Sequence, residues 1–279
     1  QEKTGSIALW WKPPHGALQP VPSRNLTPVN TSPTLVVSTT FPPDDSSVGY
    51  ERGVSISKAW DEATTQTAIE VANYVLDHLD RLSQSKANDT NRVAKIKGFT
   101  ERFVSTAFRR PLTTDQKRLF ITLPMSTAST LEEGVKRVVL LALKSPRFLY
   151  PGVSDGKGDD FDIATRLALG LWDSLPDKEL LQSAAQGGLK KEESLRSQAR
   201  RMLEDPRAHA KIRACLHHWL HIDRTEELTK DQTLFPGFTP EIVSDLRTSL
   251  NLFLDDVVWD GTSDYRRLLL EDDLWVNDR

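Results

Sequence analysis

From residue 57 onward, apolar residues recur at the spacing of one face of an α-helix. One predicted helix is apolar around most of its circumference and stops before Pro146, which predicts a central core helix. Its apolar residues are Val135, Val138, Val139, Leu141, Ala142 and Leu143. Thr113 and Thr130 are each followed three residues later by Gln or Glu, the spacing of a capping box at a helix start. The pattern predicts a mainly α fold, an irregular multi-helix bundle.

A proline-rich stretch precedes this helical region. Eight of the sixteen prolines lie in residues 1–43, and prolines at this density interrupt both helices and central strands. We therefore predict an extended arm with a short strand at residues 34–40. Trp10 and Trp11 are expected to pack the arm onto the body of the protein, and docking into a partner is the alternative.

The best internal boundary is PGVSDGKGDD, which combines Gly, Asp and Pro with almost no apolar content. The sequence thus predicts four parts. They are a proline-rich arm and turn region at 1–56, a first helical subdomain at 57–150, a linker at 151–160 and a second helical subdomain at 161–279.

Composition argues against several classes of function. The formal charge of −3 arises from 36 basic and 39 acidic residues without a long block of either sign, so no nucleic-acid partner is expected. No apolar run reaches the roughly 20 residues that span a bilayer, so no transmembrane segment is expected. No familiar catalytic motif is present, which weighs against catalysis by this chain alone and leaves the question open.

The stretch CLHHWLH, residues 215–221, holds the only cysteine and three of the six histidines. A single cysteine cannot supply the two thiols of a C-x-x-C-H haem attachment, so no cofactor is expected in this chain. His217 and His221 have a metal-binding spacing on a helix, but zinc normally requires further ligands. We expect no metal site, and the alternative is a site on this pair. The favoured interpretation is a solvated histidine face with Cys215 buried as a small apolar residue.

Arginine and aspartate residues recur near the predicted helix ends. They are Arg109, Arg110, Arg147, Arg166, Asp177, Arg201, Asp205 and Arg207. Guanidinium groups at such positions bond helix carbonyls, pair with carboxylates or bind an anionic ligand. Spacing alone does not separate an ion-pair network from an anion pocket, and it identifies no catalytic residue.

Six phrases, in order along the chain, resemble one family. They are FPPDDSSVGYERG (41–53), FRRPLT (108–113), SPRFLY (145–150), RLALGLWDSLPDKELL (166–181), RMLEDPRA (201–208) and the Trp219-Leu220 pair. Together they resemble the planctomycete-type extracytoplasmic multidomain proteins, which are built of serial domains of unknown function. The resemblance covers residues 41–279.

The resemblance implies an extracytoplasmic location, periplasmic or secreted. It also implies c-type haem in an adjoining segment or partner, and a second helical subdomain that is truncated relative to the family. The expected partner is the continuation of the same gene product or another polypeptide near the C-terminus, because apolar residues that concentrate there should be buried. The expected interface residues are Leu270, Leu274, Trp275 and Val276.

We therefore predict a noncatalytic helical scaffold or interaction segment of a larger extracytoplasmic cytochrome-like redox protein. One alternative is a polysaccharide-active enzyme segment that uses convergent carboxylates and arginines. The other is a peripheral subunit that wraps a partner with its N-terminal arm. A deep cleft with convergent acids would favour the enzyme, and an arm extending away from its own body would favour the wrapping subunit.

Overall fold

The computed structural model describes residues 10–11, 19–21, 34–42, 57–152, 158–222, 228–231, 233–261 and 264–271. Helices dominate these residues, so the predicted mainly α fold is confirmed. The chain forms two compact units: a larger unit of residues 32–170 and 174–198, and a smaller unit of residues 1–31, 171–173 and 199–279. The domain boundaries predicted from the sequence stay a prediction. Among the described residues, no helix combines the length and apolar content that crossing a membrane requires.

The helices and strands follow in chain order. They are β1 (Trp10–Trp11), β2 (Gln19–Pro20), α1 (Lys58–Asp77), α2 (Leu79–Ser83), α3 (Arg92–Ala107), α4 (Thr114–Lys117), a π-helical turn (Arg118–Thr122), α5 (Leu123–Ser126), α6 (Leu131–Leu143), α7 (Pro146–Leu149), α8 (Asp160–Trp172), α9 (Lys178–Ala185), α10 (Glu192–Leu203), α11 (Pro206–Trp219), α12 (Pro240–Trp259) and α13 (Arg267–Leu270). The two short strands pair antiparallel.

In the larger unit, α6 is the central helix, as the sequence predicts. Val135, Val138, Val139 and Ala142 have no exposed surface. The helix packs against α1, α3 and α5, and coverage on several sides explains why its apolar residues are not confined to one narrow stripe. Ile96 of α3 is fully buried in the same core.

Two glycines of the larger unit predict opposite effects of the same substitution. A Cβ at Gly134 of α6 would lie 3.1 Å from Met125 Cα, so alanine there would push α5 and α6 apart. A Cβ at Gly98 of α3 would lie 3.6 Å from an Arg102 side-chain nitrogen, an ordinary contact. We expect Gly134→Ala to lower the free energy of unfolding by about 1–3 kcal/mol. We expect Gly98→Ala to raise it by about 0.5–1 kcal/mol through higher helix propensity. Urea unfolding should show opposite signs, and equal signs would contradict this account.

Side chains cap several helices where the sequence predicts helix starts. Thr113 and Gln116 form the predicted capping box of α4, because Thr113 Oγ1 accepts from Gln116 N at 3.2 Å and Gln116 Oε1 accepts from Thr113 N at 3.1 Å. Thr130 Oγ1 likewise accepts from Glu133 N at 3.1 Å at the start of α6. These bonds satisfy backbone donors that a helix start leaves without an intrahelical partner.

Within the proline-rich region, residues 34–42 form a segment without regular secondary structure that contacts α1. The predicted strand at 34–40 does not form, although exposed and half-buried side chains alternate there. Glu70 of α1 accepts hydrogen bonds from Ser38 N at 2.8 Å, Ser38 Oγ at 3.1 Å and Thr39 Oγ1 at 3.4 Å. The Ser38 N–H thus donates its hydrogen bond to a carboxylate of α1. In a strand, the same N–H would donate to a carbonyl of a neighbouring strand.

The Glu70 contacts predict a local effect that depends on pH. The hydrogen bond from the Ser38 backbone is the main cause that lowers the pKa of Glu70 below its ordinary value of 4.5. The contact therefore contributes stability above pH 4.5 and loses it as the pH falls through the lowered pKa. At neutral pH we expect Glu70→Gln to speed amide hydrogen exchange in residues 34–42 several-fold. Glu62→Gln, which alters an exposed carboxylate of the same helix, should leave that exchange unchanged. Equal acceleration in both variants would contradict the assignment.

In the smaller unit, α11 and α12 pack antiparallel, and three side-chain pairs mark their contact. They are His209 with Trp259, Arg213 with Asp255, and His217 with Asn251. The first pair stacks with ring centroids 3.9 Å apart, and the last joins a ring nitrogen to an amide oxygen at 2.7 Å. Successive partners advance by four residues on α11 and go back by four on α12, as antiparallel neighbouring helices require.

Candidate functional site

Arg109, just beyond the end of α3, lies at the centre of a buried cluster in the larger unit. The residue is only 5% exposed. Its Nη2 donates to Arg147 O at 2.6 Å, and its Nη1 donates to Phe148 O at 3.4 Å. Nη1 also donates to Ala107 O at 3.2 Å. Burial, followed by the nearby positive charge of Arg110, lowers the pKa of the Arg109 guanidinium. The side chain joins the end of α3 to the carbonyls of α7.

The backbone at Arg109 is also unusual. Its φ of +59° is in the left-handed region that favours glycine. Arg109 N donates to Thr106 O at 3.0 Å and Arg110 N donates to Ser105 O at 3.2 Å, which is the Schellman pattern of a helix end. The turn directs the two consecutive guanidinium groups to different partners.

Arg110 binds two aspartates at the start of α8. Its Nη1 donates to Asp159 Oδ2 at 2.9 Å, and its Nη2 donates to Asp162 Oδ1 at 2.5 Å. The same carboxylates cap the helix, because Asp162 N donates to Asp159 Oδ1 at 2.9 Å and Asp159 N donates to Asp162 Oδ2 at 3.1 Å. Asp159 lies in the predicted linker and Asp162 in the predicted second subdomain, and neither belongs to the predicted site residues. The sequence does contain a signal for this helix start, because Asp159 and Asp162 have the spacing of a capping box and precede an apolar run.

The three predicted arginines of this cluster surround little free space. Arg109, Arg110 and Arg147 line, together with Asp162, a cavity of about 20 Å³. That volume suits one water molecule. A bound phosphate or carboxylate would need a larger space, so the geometry here favours the ion-pair interpretation over an anion pocket.

A second cluster, in the smaller unit, surrounds Trp172. This residue is 4% exposed, and its Nε1 donates to Met202 O at 2.9 Å. The guanidinium carbon of Arg207 lies 3.7 Å from the ring centroid, and that of Arg201 lies 5.7 Å away. Both arginines are within the range of a cation–π interaction, Arg207 in close contact. The phrases RLALGLWDSLPDKELL and RMLEDPRA therefore meet at this indole.

Asp205 holds Arg207 in that position. Asp205 is the N-cap of α11, and its Oδ1 accepts from Arg207 N and from Arg207 Nε, each at 2.9 Å. Its Oδ2 accepts from Arg207 Nη2 at 2.8 Å. Pairing with the Arg207 side chain is the main cause that lowers the pKa of Asp205. One aspartate thus both caps a helix and fixes the guanidinium over the indole.

The two remaining predicted residues have separate positions in the larger unit. Asp177 is the N-cap of α9 and accepts from Leu180 N at 2.9 Å. Pro176 therefore lies just before the cap and outside the first turn of α9. Arg166 is exposed on α8. Within the larger unit the structure thus brings Arg109, Arg110 and Arg147 together, and within the smaller unit it brings Arg201, Asp205 and Arg207 together.

His217 and His221 do not share one helix face. His217 is half-buried, and its Nε2 lies 2.7 Å from Asn251 Oδ1. His221 lies beyond the end of α11 with a φ of +56°, where Ile222 N donates to His217 O at 2.9 Å. In the part of the chain that the structure describes, no three His, Cys, Asp or Glu side chains group as metal ligands would. The expectation of no bound metal stays a prediction, which elemental analysis of the purified chain can test.

The predicted orientation of α11 was wrong. Cys215 is exposed rather than buried, and Trp219 is 61% exposed. His217, predicted to face solvent, faces α12. The reason is that α11 packs against α12 through His209, Arg213 and His217. This packing buries part of the polar side of α11 and leaves Cys215 and Trp219 of the apolar side uncovered.

Comparison with protein families gives two matches. Residues 95–151 match the family described as PSD5, protein of unknown function (DUF1595). Residues 159–279 match the family described as PSD4, protein of unknown function (DUF1592). Two segments of the chain are thus similar to domains of unknown function. The predicted resemblance to serial domains of unknown function is confirmed to this extent. Neither the curated proteins nor the solved structures contain a match to this chain.

The first cluster connects the two segments that match the families, here called the DUF1595 segment (95–151) and the DUF1592 segment (159–279). Arg110 belongs to the DUF1595 segment, and Asp159 and Asp162 belong to the DUF1592 segment. The phrases FRRPLT and SPRFLY both lie in the DUF1595 segment, where Arg109 joins them. The ion pairs of Arg110 then connect that segment to the start of the DUF1592 segment within one compact unit.

A groove of about 490 Å³ lies where the same two segments meet in the larger unit. Its apolar lining consists of Pro111, Leu112, Phe161, Leu181 and Ala185, and its charged lining consists of Glu101, Arg102, Arg110 and Lys117. The single carboxylate of this lining, on Glu101, forms an ion pair with Lys117. A glycoside hydrolase requires two carboxyl groups across its cleft in most families, and this groove presents one.

At the other end of the DUF1592 segment, α13 presents apolar side chains to solvent. Leu269 is 85% exposed and Leu270 is 77% exposed. Arg267 of the same helix forms ion pairs with three carboxylates, which belong to Asp256, Asp260 and Glu271. These bonds, led by the one to Glu271, raise the pKa of Arg267. The other predicted interface residues, Leu274, Trp275 and Val276, lie outside the described residues.

Proposed function

We propose that this chain is a noncatalytic helical scaffold or interaction segment of a larger extracytoplasmic cytochrome-like redox protein. The observation that carries the proposal is the use of the polar groups in the family phrases. Arg109 binds main-chain carbonyls, Arg110 binds the caps of α8, and Trp172 binds a main-chain carbonyl beneath Arg207. Groups that are occupied in this way hold helices together and do not face a substrate.

The interaction part of the proposal rests on α13. Arg267 attaches this short helix to Asp256 and Asp260 of α12, while Leu269 and Leu270 point into solvent. Exposed leucines on an element that ion pairs hold in place are suited to burial against a partner. The partner is the continuation of the same gene product or another polypeptide near the C-terminus, and Leu274, Trp275 and Val276 belong to the same interface.

The cytochrome-like and extracytoplasmic parts rest on the resemblance to proteins with adjoining haem segments. No cofactor is assigned to this chain, and c-type haem belongs to an adjoining segment or to the partner. The alternative in which the arm wraps a neighbour has less support, because the described residues 34–42 bind Glu70 of their own unit. The glycan-active alternative has less support because the groove carries one paired carboxylate.

Photo-crosslinking in the native host tests this proposal. A photoreactive phenylalanine analogue is introduced at Leu270 and, as a control, at Val93, which is 61% exposed on α3. We expect the Leu270 position, but not the Val93 position, to crosslink to a polypeptide or segment that carries covalent haem, detected by its absorption spectrum and by mass spectrometry. Material from the extracytoplasmic fraction that gives no haem-bearing product, or crosslinks equally from both positions, would contradict it.

A further inference from the structure

The groove of the larger unit offers a second interaction surface, made of residues other than those of α13. Its volume of about 490 Å³ lies within the range of ligand sites. Leu112, Phe161 and Leu181 are half-buried and supply its apolar floor. Because Leu112 belongs to the DUF1595 segment and the other two to the DUF1592 segment, neither segment forms this floor alone.

The groove has the walls of a helix-binding site. On α3, Gly98, Glu101, Arg102 and Ser105 follow the spacing of one helix face, and they line one side. Residues of α9 line another side, where Ala185 is small and exposed. Small side chains on both walls leave width for a third helix to approach the apolar floor.

The charge of the lining specifies the occupant. Three basic side chains, on Arg102, Arg110 and Lys117, and one acidic side chain, on Glu101, line the groove. Lys117 pairs with Glu101, and Arg110 pairs with its two aspartates. Arg102 is exposed and forms no ion pair with the described residues. An uncompensated guanidinium beside an apolar floor is complementary to a carboxylate beside apolar side chains.

We propose that this groove binds an acidic amphipathic helix of a partner polypeptide. The apolar stripe of that helix packs on Leu112, Phe161 and Leu181, and one of its carboxylates pairs with Arg102. Binding of this kind depends on both segments, which gives a physical reason for their occurrence side by side in one compact unit. The proposal goes beyond the scaffold function and does not require haem.

Binding of a designed peptide to the full chain tests the proposal. The probe is a fluorescein-labelled peptide of about 12 residues, some three turns of helix, with leucines at one face and glutamates elsewhere. The control probe has the same leucines, with lysines in place of the glutamates. Fluorescence anisotropy is measured for the wild-type chain and for Arg102→Glu, Ala185→Trp and Lys97→Glu. Lys97→Glu makes the same charge change on an exposed residue of α3 that does not line the groove.

We expect the acidic probe to bind the wild-type chain and to bind Arg102→Glu about tenfold more weakly, because attraction becomes repulsion at one site. Ala185→Trp should also weaken binding, because the indole occupies the groove, while Lys97→Glu should change the affinity by less than about twofold. All three positions are exposed, and thermal unfolding checks that each variant folds. Equal binding of the lysine probe, equal losses in Arg102→Glu and Lys97→Glu, or no binding of the acidic probe would each overturn the proposal.

Discussion

Replacement of Arg109 by methionine is expected to lower the free energy of unfolding of the larger unit by about 3–5 kcal/mol. The substitution removes the donors to three main-chain carbonyls, two of which belong to α7. The site is buried and has space for about one water molecule, so solvent cannot replace all of these bonds. Both residues carry a Cβ, so the positive φ adds no new strain.

The matched control for this prediction is Arg118→Met. Arg118 is exposed in the π-helical turn of the same unit, so its replacement should change the free energy of unfolding by less than about 0.5 kcal/mol. Urea unfolding followed by circular dichroism compares the two variants. A loss in Arg109→Met no larger than that in Arg118→Met would show that the buried guanidinium does not hold α3 and α7 together.

Replacement of Trp172 by alanine is expected to cost the smaller unit about 3–5 kcal/mol. The indole is almost fully buried, so its removal leaves a cavity. It also removes the hydrogen bond to Met202 O and the surface on which the Arg207 guanidinium rests. Trp172→Phe retains an aromatic ring and loses the indole donor, so we expect a smaller cost of about 1–2 kcal/mol.

Trp219→Ala is the matched control for Trp172. Trp219 belongs to the same unit but is 61% exposed, so its replacement should change the free energy of unfolding by less than about 0.5 kcal/mol. Urea unfolding is followed by far-ultraviolet circular dichroism, which measures helix content. Tryptophan fluorescence is not suitable, because each variant loses one tryptophan and its signal changes for that reason alone. An equal cost at both positions, or a greater cost at Trp219, would contradict the assignment of Trp172 as the centre of this cluster.

Together these predictions address what the family phrases do. In the DUF1595 segment, FRRPLT and SPRFLY meet through one guanidinium. In the DUF1592 segment, two phrases meet at one indole, and Asp205 fixes the arginine that covers it. A short phrase with Arg or Trp at a helix end is therefore the sequence pattern of a tertiary contact here. This explains why the phrases identify relatives without identifying a reaction.

Local structure was largely predictable from the sequence. The core position of α6, the capping box at Thr113 and the helix start at Thr130 all depend on residues within a few positions of one another. Side-chain periodicity and capping chemistry act at that range, so a single sequence contains the relevant information. The arginine set could be identified by residue type, but its partners, such as Asp159 and the carbonyls of α7, are distant in sequence and could not.

The helix α11 shows what the sequence by itself determined and what only the tertiary structure decided. Its periodicity determined that apolar and polar residues lie on different sides, and this division is local. Which side is covered depended on α12, because Arg213 finds Asp255 and His217 finds Asn251 about forty residues further along the chain. Burial favours polar side chains only where such partners satisfy them. Cys215 and Trp219 are consequently exposed, since the free energy of the helix pair depends on both surfaces and the sequence of one helix describes only one of them.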